Sequence, residues 1–192
     1  MAQKQVNKPA GLIIIGGSSG SIEALLVILP QLKKTLALPV LIVLHRNSSS
    51  DSSLAFLLSQ RTSLAVKEVD EKELLLPGHI YIAPSDYHVL LEEDGTLSLD
   101  ASEKVNYCRP SIDVSFTSAA LVYQNTLVAV LLSGANADGA QGIADIKENG
   151  GLTIVQDPAE ATVAYMPEQA ILLSKIDHIL SAAAIGEMLN TI

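Results

Sequence analysis

A chain of 192 residues that is 48% hydrophobic is long enough for one well-buried core and gives no reason to expect two. Its formal net charge of −9 sets a repulsive field against phosphate backbones and anionic headgroups, which argues against nucleic acid and membrane surfaces as partners. A lone cysteine, Cys108, excludes a disulfide within the chain and favours a reducing compartment.

Residues 1–10 are polar, lack the apolar stretch of a signal peptide and are expected to form a flexible N-terminal segment. Apolar runs such as Leu25–Leu29 stop far short of a membrane span, so the expected location is the cytoplasm, without direct membrane insertion. The first apolar run, Gly11-Leu12-Ile13-Ile14-Ile15, gives way at Gly16-Gly17-Ser18-Ser19-Gly20 to a helix-like segment from Ser21, which reads as strand, tight turn, helix. A second β-rich run, Val40–Leu44, ends at His45-Arg46-Asn47 and a Ser-rich loop, after which Asp51 or a nearby Ser is expected to cap a helix over 54–61.

Between Val66 and Leu99, short strands are separated by Pro77-Gly78, Pro84-Ser85-Asp86 and Glu93-Asp94-Gly95. That is the turn chemistry of hairpins, and it predicts an antiparallel excursion. Pro110 suits the first turn of a helix reaching about Tyr123. An aliphatic strand over 127–132, the loop 133–138 and a helix near 139–149, ended by Gly150-Gly151, follow in order. The remainder predicts a strand over 152–156, a short helix after Pro167, a short strand near Ile179 and an amphipathic helix from about Ala182. With few aromatics and no Trp, the core must be Leu, Ile, Val and Ala, the usual filling of a parallel sheet. The predicted class is α/β: a single doubly wound, mostly parallel sheet with helices on both faces and one antiparallel hairpin excursion, forming one domain over 1–192.

The turn at residues 16–20 fits G-x-S-x-G, in which small neighbours let the chain turn sharply and expose the Ser18 hydroxyl at the head of a helix. The same segment equally suits a glycine-rich turn whose amides cradle a phosphate. The second strand separates the two readings. A dinucleotide site wants an acidic residue at its end, and here stands His45. Consecutive parallel strands usually lie side by side, so Ser18 and His45 can meet as nucleophile and base. Asp138, opening from the carboxyl end of another parallel strand, is the best candidate to orient the imidazole, though it also suits an N-cap role. Asp157 and Asp113 are rivals, the latter expected to favour the positive end of its own helix. His79, His88 and His178 lack such placement and are read as structural. Cys108 has no histidine assigned to it by strand order and is read as inert. Arg109 suits an ion pair or a carbonyl contact anchoring its loop, with substrate binding as the alternative.

Five separated segments, 15–24, 43–45, 76–84, 109–113 and 132–140, resemble in order the catalytic domain of the chemotaxis protein-glutamate methylesterase family, CheB, without its receiver domain. The resemblance implies hydrolysis of γ-glutamyl methyl esters on the cytoplasmic helices of methyl-accepting receptors, with deamidation of particular glutamines as a second activity. It assigns Ser18, His45 and Asp138 to the catalytic triad, and main-chain amides at Ser19 and Ala135 to the oxyanion, with no metal and no cofactor. The sequence departs from the family pattern at Arg46, where Met is common, and at Ala135-Asn136-Ala137, where Met-Gly-Asn is common. Control by phosphorylation would require a separate phosphoacceptor regulator. The competing expectation is a non-catalytic nucleotide- or phosphate-binding module, or one that only docks on receptors.

Overall fold

The computed structural model describes residues 11–46 and 51–192, with the side chains of 51–53 left out. The expected N-terminal segment 1–10, and the expected cap of the second helix by Asp51 or a nearby Ser, fall outside the described residues. Seven strands form one sheet: β1 (Leu12–Gly17), β2 (Val40–Leu44), β3 (Ala65–Glu68), β4 (His79–Ile82), β7 (Leu127–Leu131), β8 (Leu152–Gln156) and β9 (His178–Leu180). Their order is β3-β4-β2-β1-β7-β8-β9, and every neighbouring pair is parallel. Two further strands, β5 (His88–Leu91) and β6 (Leu97–Asp100), make a separate antiparallel hairpin.

Alternation along β1 explains the layering. Leu12 and Ile14 pack on one face with helices α3 (Ile112–Tyr123), α4 (Ala140–Glu148) and α5 (Tyr165–Leu173). Ile13 and Ile15 pack on the other with α1 (Ser21–Ile28), α2 (Asp51–Ser59) and α6 (Ala182–Leu189). All four side chains are fully buried, each stabilising the fold by about 1.5–3 kcal/mol relative to exposure. The sheet is thus doubly wound and covered on both sides, as its aliphatic composition predicts.

The antiparallel excursion is present but shorter than expected. β3 and β4 are parallel to each other and extend the main sheet, whereas β5 and β6 form the hairpin. The ten residues between β3 and β4 make a parallel crossover near the short limit for such connections, and Pro77-Gly78 ends that crossover instead of turning a hairpin. Two helix starts also shift. α3 begins after the N-cap Ser111, whose Oγ accepts from the Val114 amide, so Pro110 precedes the cap. α5 starts at Tyr165, with Pro167 inside its first turn, where a missing N–H costs no helical bond. Gly150, at φ 83°, ends α4 as expected. Among the described residues, no helix is long and apolar enough to cross a membrane.

Candidate active site

The strand order makes β1 the switch point of the sheet, with β2 on one side and β7 on the other. Open α/β sheets place their ligands at the carboxyl ends of strands at such a point. Ser18 follows β1, His45 follows β2, and Asp138 lies in the loop after β7.

The turn carrying Ser18 depends on its glycines. A Cβ at Gly17 would fall 2.5 Å from that of Ser21, and Gly20 sits at φ 81°, a conformation that strains any side chain. The Ser21 amide and hydroxyl both donate to the Ser18 carbonyl, at 3.0 and 2.5 Å, which closes the turn. The Ser18 amide donates to the Ser133 carbonyl at 2.9 Å, tying the turn to the loop after β7. Across the other edge, Gly17 and Leu44 are register partners, and the His45 amide donates to the Gly17 carbonyl at 3.3 Å. Ser18 and His45 are therefore the first residues past the ends of adjacent strands. They line one mostly apolar cleft of about 380 Å³ with Ser21, Ile22, Leu44 and Leu57.

His45 Nε2 lies 2.7 Å from Asp138 Oδ2, and their side chains are 13% and 0% exposed. The Ile112 amide donates to the same oxygen at 2.6 Å, while the Ser111 hydroxyl and the Asp113 amide donate to Oδ1 at 2.8 and 3.2 Å. Burial is the largest influence on Asp138 and opposes its ionisation. The hydrogen bonds from His45, Ile112 and Ser111 together outweigh it, and the carboxyl is held below its ordinary value. A carboxylate accepting from Nε2–H fixes the tautomer, leaving the lone pair on Nδ1. Among the described residues no hydrogen bond joins Ser18 Oγ to the ring. Instead, Cys108 Sγ stands 3.6 Å from Nδ1.

That contact overturns the reading of Cys108 as a thiol without a histidine. Val105 and Cys108 exchange two backbone hydrogen bonds around Asn106 and Tyr107, both at positive φ, forming a two-residue turn outside the main sheet. Strand order says nothing about such a turn. The neighbouring Ser111–Asp113 segment, whose hydroxyl and amides bind Asp138, is what carries the turn to the ring. Burial pushes the thiol's pKa up, and the charge of Asp138 adds to this, so Cys108 holds its proton and is a poor nucleophile.

Asp113 also departs from its expected role. Its Oδ1 accepts from the Gly139 and Gly142 amides, at 2.8 and 2.7 Å, so it serves the N-terminus of α4 and not its own helix. Burial, reinforced by the charge of Asp138, raises its pKa to about 6. His88 is tied on both nitrogens, accepting from the Ser111 amide at 3.1 Å and facing the Glu103 carbonyl at 3.1 Å, which supports the segment that holds Asp138.

On the far side of His45 lies a polar cleft of about 500 Å³, lined by Arg46, Asp86, Lys104, Tyr107, Cys108 and Arg109. Arg109 Nη1 donates to the Ala101 and Ser102 carbonyls, each at 2.7 Å, and so anchors the loop while forming part of this wall. Arg46 reaches Glu68 at 2.5 Å and the Ala83 carbonyl at 2.9 Å, which braces β2 against β3 and β4. The Ser19 and Ala135 amides take part in no backbone hydrogen bond among the described residues, and both residues are solvent-exposed.

Comparison with known proteins places these features in context. The family model described as CheB methylesterase matches residues 13–189. A Leptospira interrogans protein named putative protein-glutamate methylesterase/protein-glutamine glutaminase is 46% identical over 176 residues, covering 92% of this chain and 91% of that protein. A Thermotoga maritima protein named protein-glutamate methylesterase/protein-glutamine glutaminase is 35% identical over 190 residues, and the chain spans 55% of its length. The crystal structure of the Thermotoga maritima CheB methylesterase catalytic domain superposes with a TM-score of 0.90 at 35% identity, covering 94% of this chain and 97% of that one.

Proposed function

The chain belongs to the CheB methylesterase family, and from that premise we propose that it is a serine hydrolase acting on glutamate methyl esters, with Ser18 as nucleophile, His45 as base and Asp138 as the residue that orients the base. Its substrates are the cytoplasmic helices of methyl-accepting chemotaxis receptors, its products glutamate and methanol, and its location the cytoplasm. Glutamine deamidation follows the same route with ammonia leaving, in keeping with the double name its relatives carry. The observation that carries this reading is the 2.7 Å contact between His45 and a buried Asp138, at a sheet edge shared with Ser18.

The chemistry follows from the tautomer. Nδ1 takes the Ser18 proton as Oγ attacks the ester carbonyl, a step that requires the Ser18 side chain to turn toward the ring and the Cys108 thiol to yield. Asp138 stays ionised and offsets the positive charge that develops on the imidazole. The Ser19 and Ala135 amides donate to the oxyanion, each worth about 3 kcal/mol in a site preorganised for it, and the positive end of α1 adds to the same field. The ring then gives its proton to the departing methoxide, leaving a γ-glutamyl ester on Ser18. Water activated by Nδ1 releases glutamate. Arg109 and the polar cleft face the acidic neighbours of the target residue.

The test is Ser18→Ala, expected to lower methanol release from methylated receptor by about 10³-fold or more, since members of a triad act as a unit. Turnover within a few-fold of the parent would remove Ser18 from the mechanism. A nucleotide-binding module is disfavoured because β2 is followed by His45, where that function needs an acid on the ribose.

A further inference from the structure

We propose that Asp113 is a positioning residue for the reaction: by tying down the backbone that follows Asp138, it holds the Asp138 carboxylate where the His45 ring needs it. Its effect on turnover rests on the esterase reading, whereas its effect on the hydrogen bond between His45 and Asp138 does not.

The two aspartates each serve the start of the other's helix. Asp138, from the loop leading into α4, accepts from the Ile112 and Asp113 amides in the first turn of α3, at 2.6 and 3.2 Å. Asp113, from that same turn of α3, accepts on Oδ1 from the Gly139 and Gly142 amides at the start of α4, at 2.8 and 2.7 Å. The first N–H groups of a helix have no partner within it, and a carboxylate placed there also meets the positive end of the helix. Ordinarily the side chain just before the helix supplies the acceptor. α4 has Gly139 at that place, which has no side chain to offer, and Asp113 takes the part from the neighbouring helix.

This exchange bears on the site because it holds Asp138 at both ends. The start of α3 grips its carboxylate, and Asp113 grips the amide one residue further along the main chain. A Cβ at Gly142 would fall 2.4 Å from that of Phe116, so α3 and α4 cross in close contact and a side chain as short as aspartate spans the gap. Asn106 Nδ2 also donates to Asp113 Oδ2 at 3.4 Å, which ties the turn carrying Cys108 to the same carboxylate. Three segments around His45 thus share one anchor. Without it, the Gly139 amide turns to solvent and Asp138 Oδ2 drifts from Nε2, and a misplacement of about 1 Å is enough to cost on the order of 10²-fold in rate.

The competing view is that Asp113 only stabilises the start of α4. Three substitutions and a control separate the two. Asp113→Asn keeps an oxygen for both amides and should release methanol with kcat within about threefold of the parent. Asp113→Ala should lower kcat roughly 10- to 100-fold with KM little changed. Asp113→Glu keeps the charge but displaces the oxygen by one methylene, and it should also lower kcat, which carries the test should the alanine variant fail to fold. Ser181→Ala is the control: Ser181 caps α6 on the other face of the sheet, accepting from the Ala184 amide at 3.1 Å, so its loss loosens the fold away from the site and should leave kcat as it is. The second readout needs no turnover. The His45 Nε2–H proton, bound to a buried carboxylate, should resonate far downfield in NMR spectra of the parent and be assigned by its loss in Asp138→Asn. It should stay in place in Asp113→Asn and Ser181→Ala, and move upfield or exchange away in Asp113→Ala and Asp113→Glu. The proposal is overturned by an unmoved resonance in Asp113→Ala or Asp113→Glu, by parent-like kcat in either, by Asp113→Asn as slow as Asp113→Ala, or by an equal fall in Ser181→Ala. A resonance that moves as expected in a chain that releases no methanol would sustain the positioning role and strike down the esterase reading instead.

Discussion

Two segments reach the same imidazole from different parts of the fold, and they differ in kind. The loop after β7 brings Asp138, buried and held ionised by three donors besides the ring. The turn at 105–108 brings Cys108 from outside the main sheet, with Tyr107 at its tip 97% exposed, and burial keeps its thiol protonated. One partner is a fixed charge and the other a neutral group that keeps its proton. The ring between them is therefore polarised in one direction: Nε2 donates to the carboxylate, and Nδ1 is left to do chemistry. Ionisation here is set by the number of hydrogen-bond donors around each group, because both groups are withdrawn from water.

Removing the fixed charge should break that asymmetry most severely. Asp138→Asn keeps the shape, but its amide would direct an N–H toward Nε2, favouring the tautomer whose proton sits on Nδ1. Methanol release should fall by about 10³- to 10⁴-fold, the scale seen when other triads lose this carboxylate. Retention of more than a tenth of the activity would mean that the carboxylate does not set the tautomer. A milder change loosens the carboxylate without discharging it. Ser111→Ala deletes the donor to Oδ1 and also the cap on the Val114 amide, so stability should drop by about 1–2 kcal/mol, seen as a lower urea midpoint with an unchanged slope. An unchanged midpoint would show that solvent replaces both bonds at no cost.

The same contrast explains what could be read before any coordinates. Ser18, His45 and Asp138 each follow a buried parallel strand, and strand adjacency in a doubly wound sheet is governed by few rules, so their common edge was legible. The crossover between β3 and β4 was not, because Pro77-Gly78 signals a change of direction without saying whether the next strand returns antiparallel or joins the sheet. Cys108 and Asp113 escaped for a related reason. Their partners, His45 for one and the amides of Gly139 and Gly142 for the other, are set by how the hairpin region and α3 dock on the sheet edge, which neither periodicity nor turn chemistry encodes. Asp113 sits in the first turn of α3, where charge alone assigned it to its own helix.

Asp113 also allows the subtlest test, since it stands beside the fixed charge yet resists ionising. Its pKa rises from the unfolded value near ~3.9 to about 6 on folding. In that window the native state holds more protons than the unfolded chain, so the contribution of Asp113 is fully present below about pH 4 and is lost as pH rises through 6. Asp138 has the opposite sign: its lowered value adds stability above the unfolded pKa, and that is lost as pH falls through the native one. Asp113→Asn still offers an oxygen to the Gly139 and Gly142 amides and leaves Asp138 in place, so subtracting its stability curve from the parent's isolates the single carboxyl. The parent should lose on the order of 1 kcal/mol relative to the variant between pH 4 and 6, less than the full shift implies because Asp113 is partly open to water. A flat difference would mean that the two amides neutralise the burial of Asp113 completely, and that the like charge of Asp138 is screened from it.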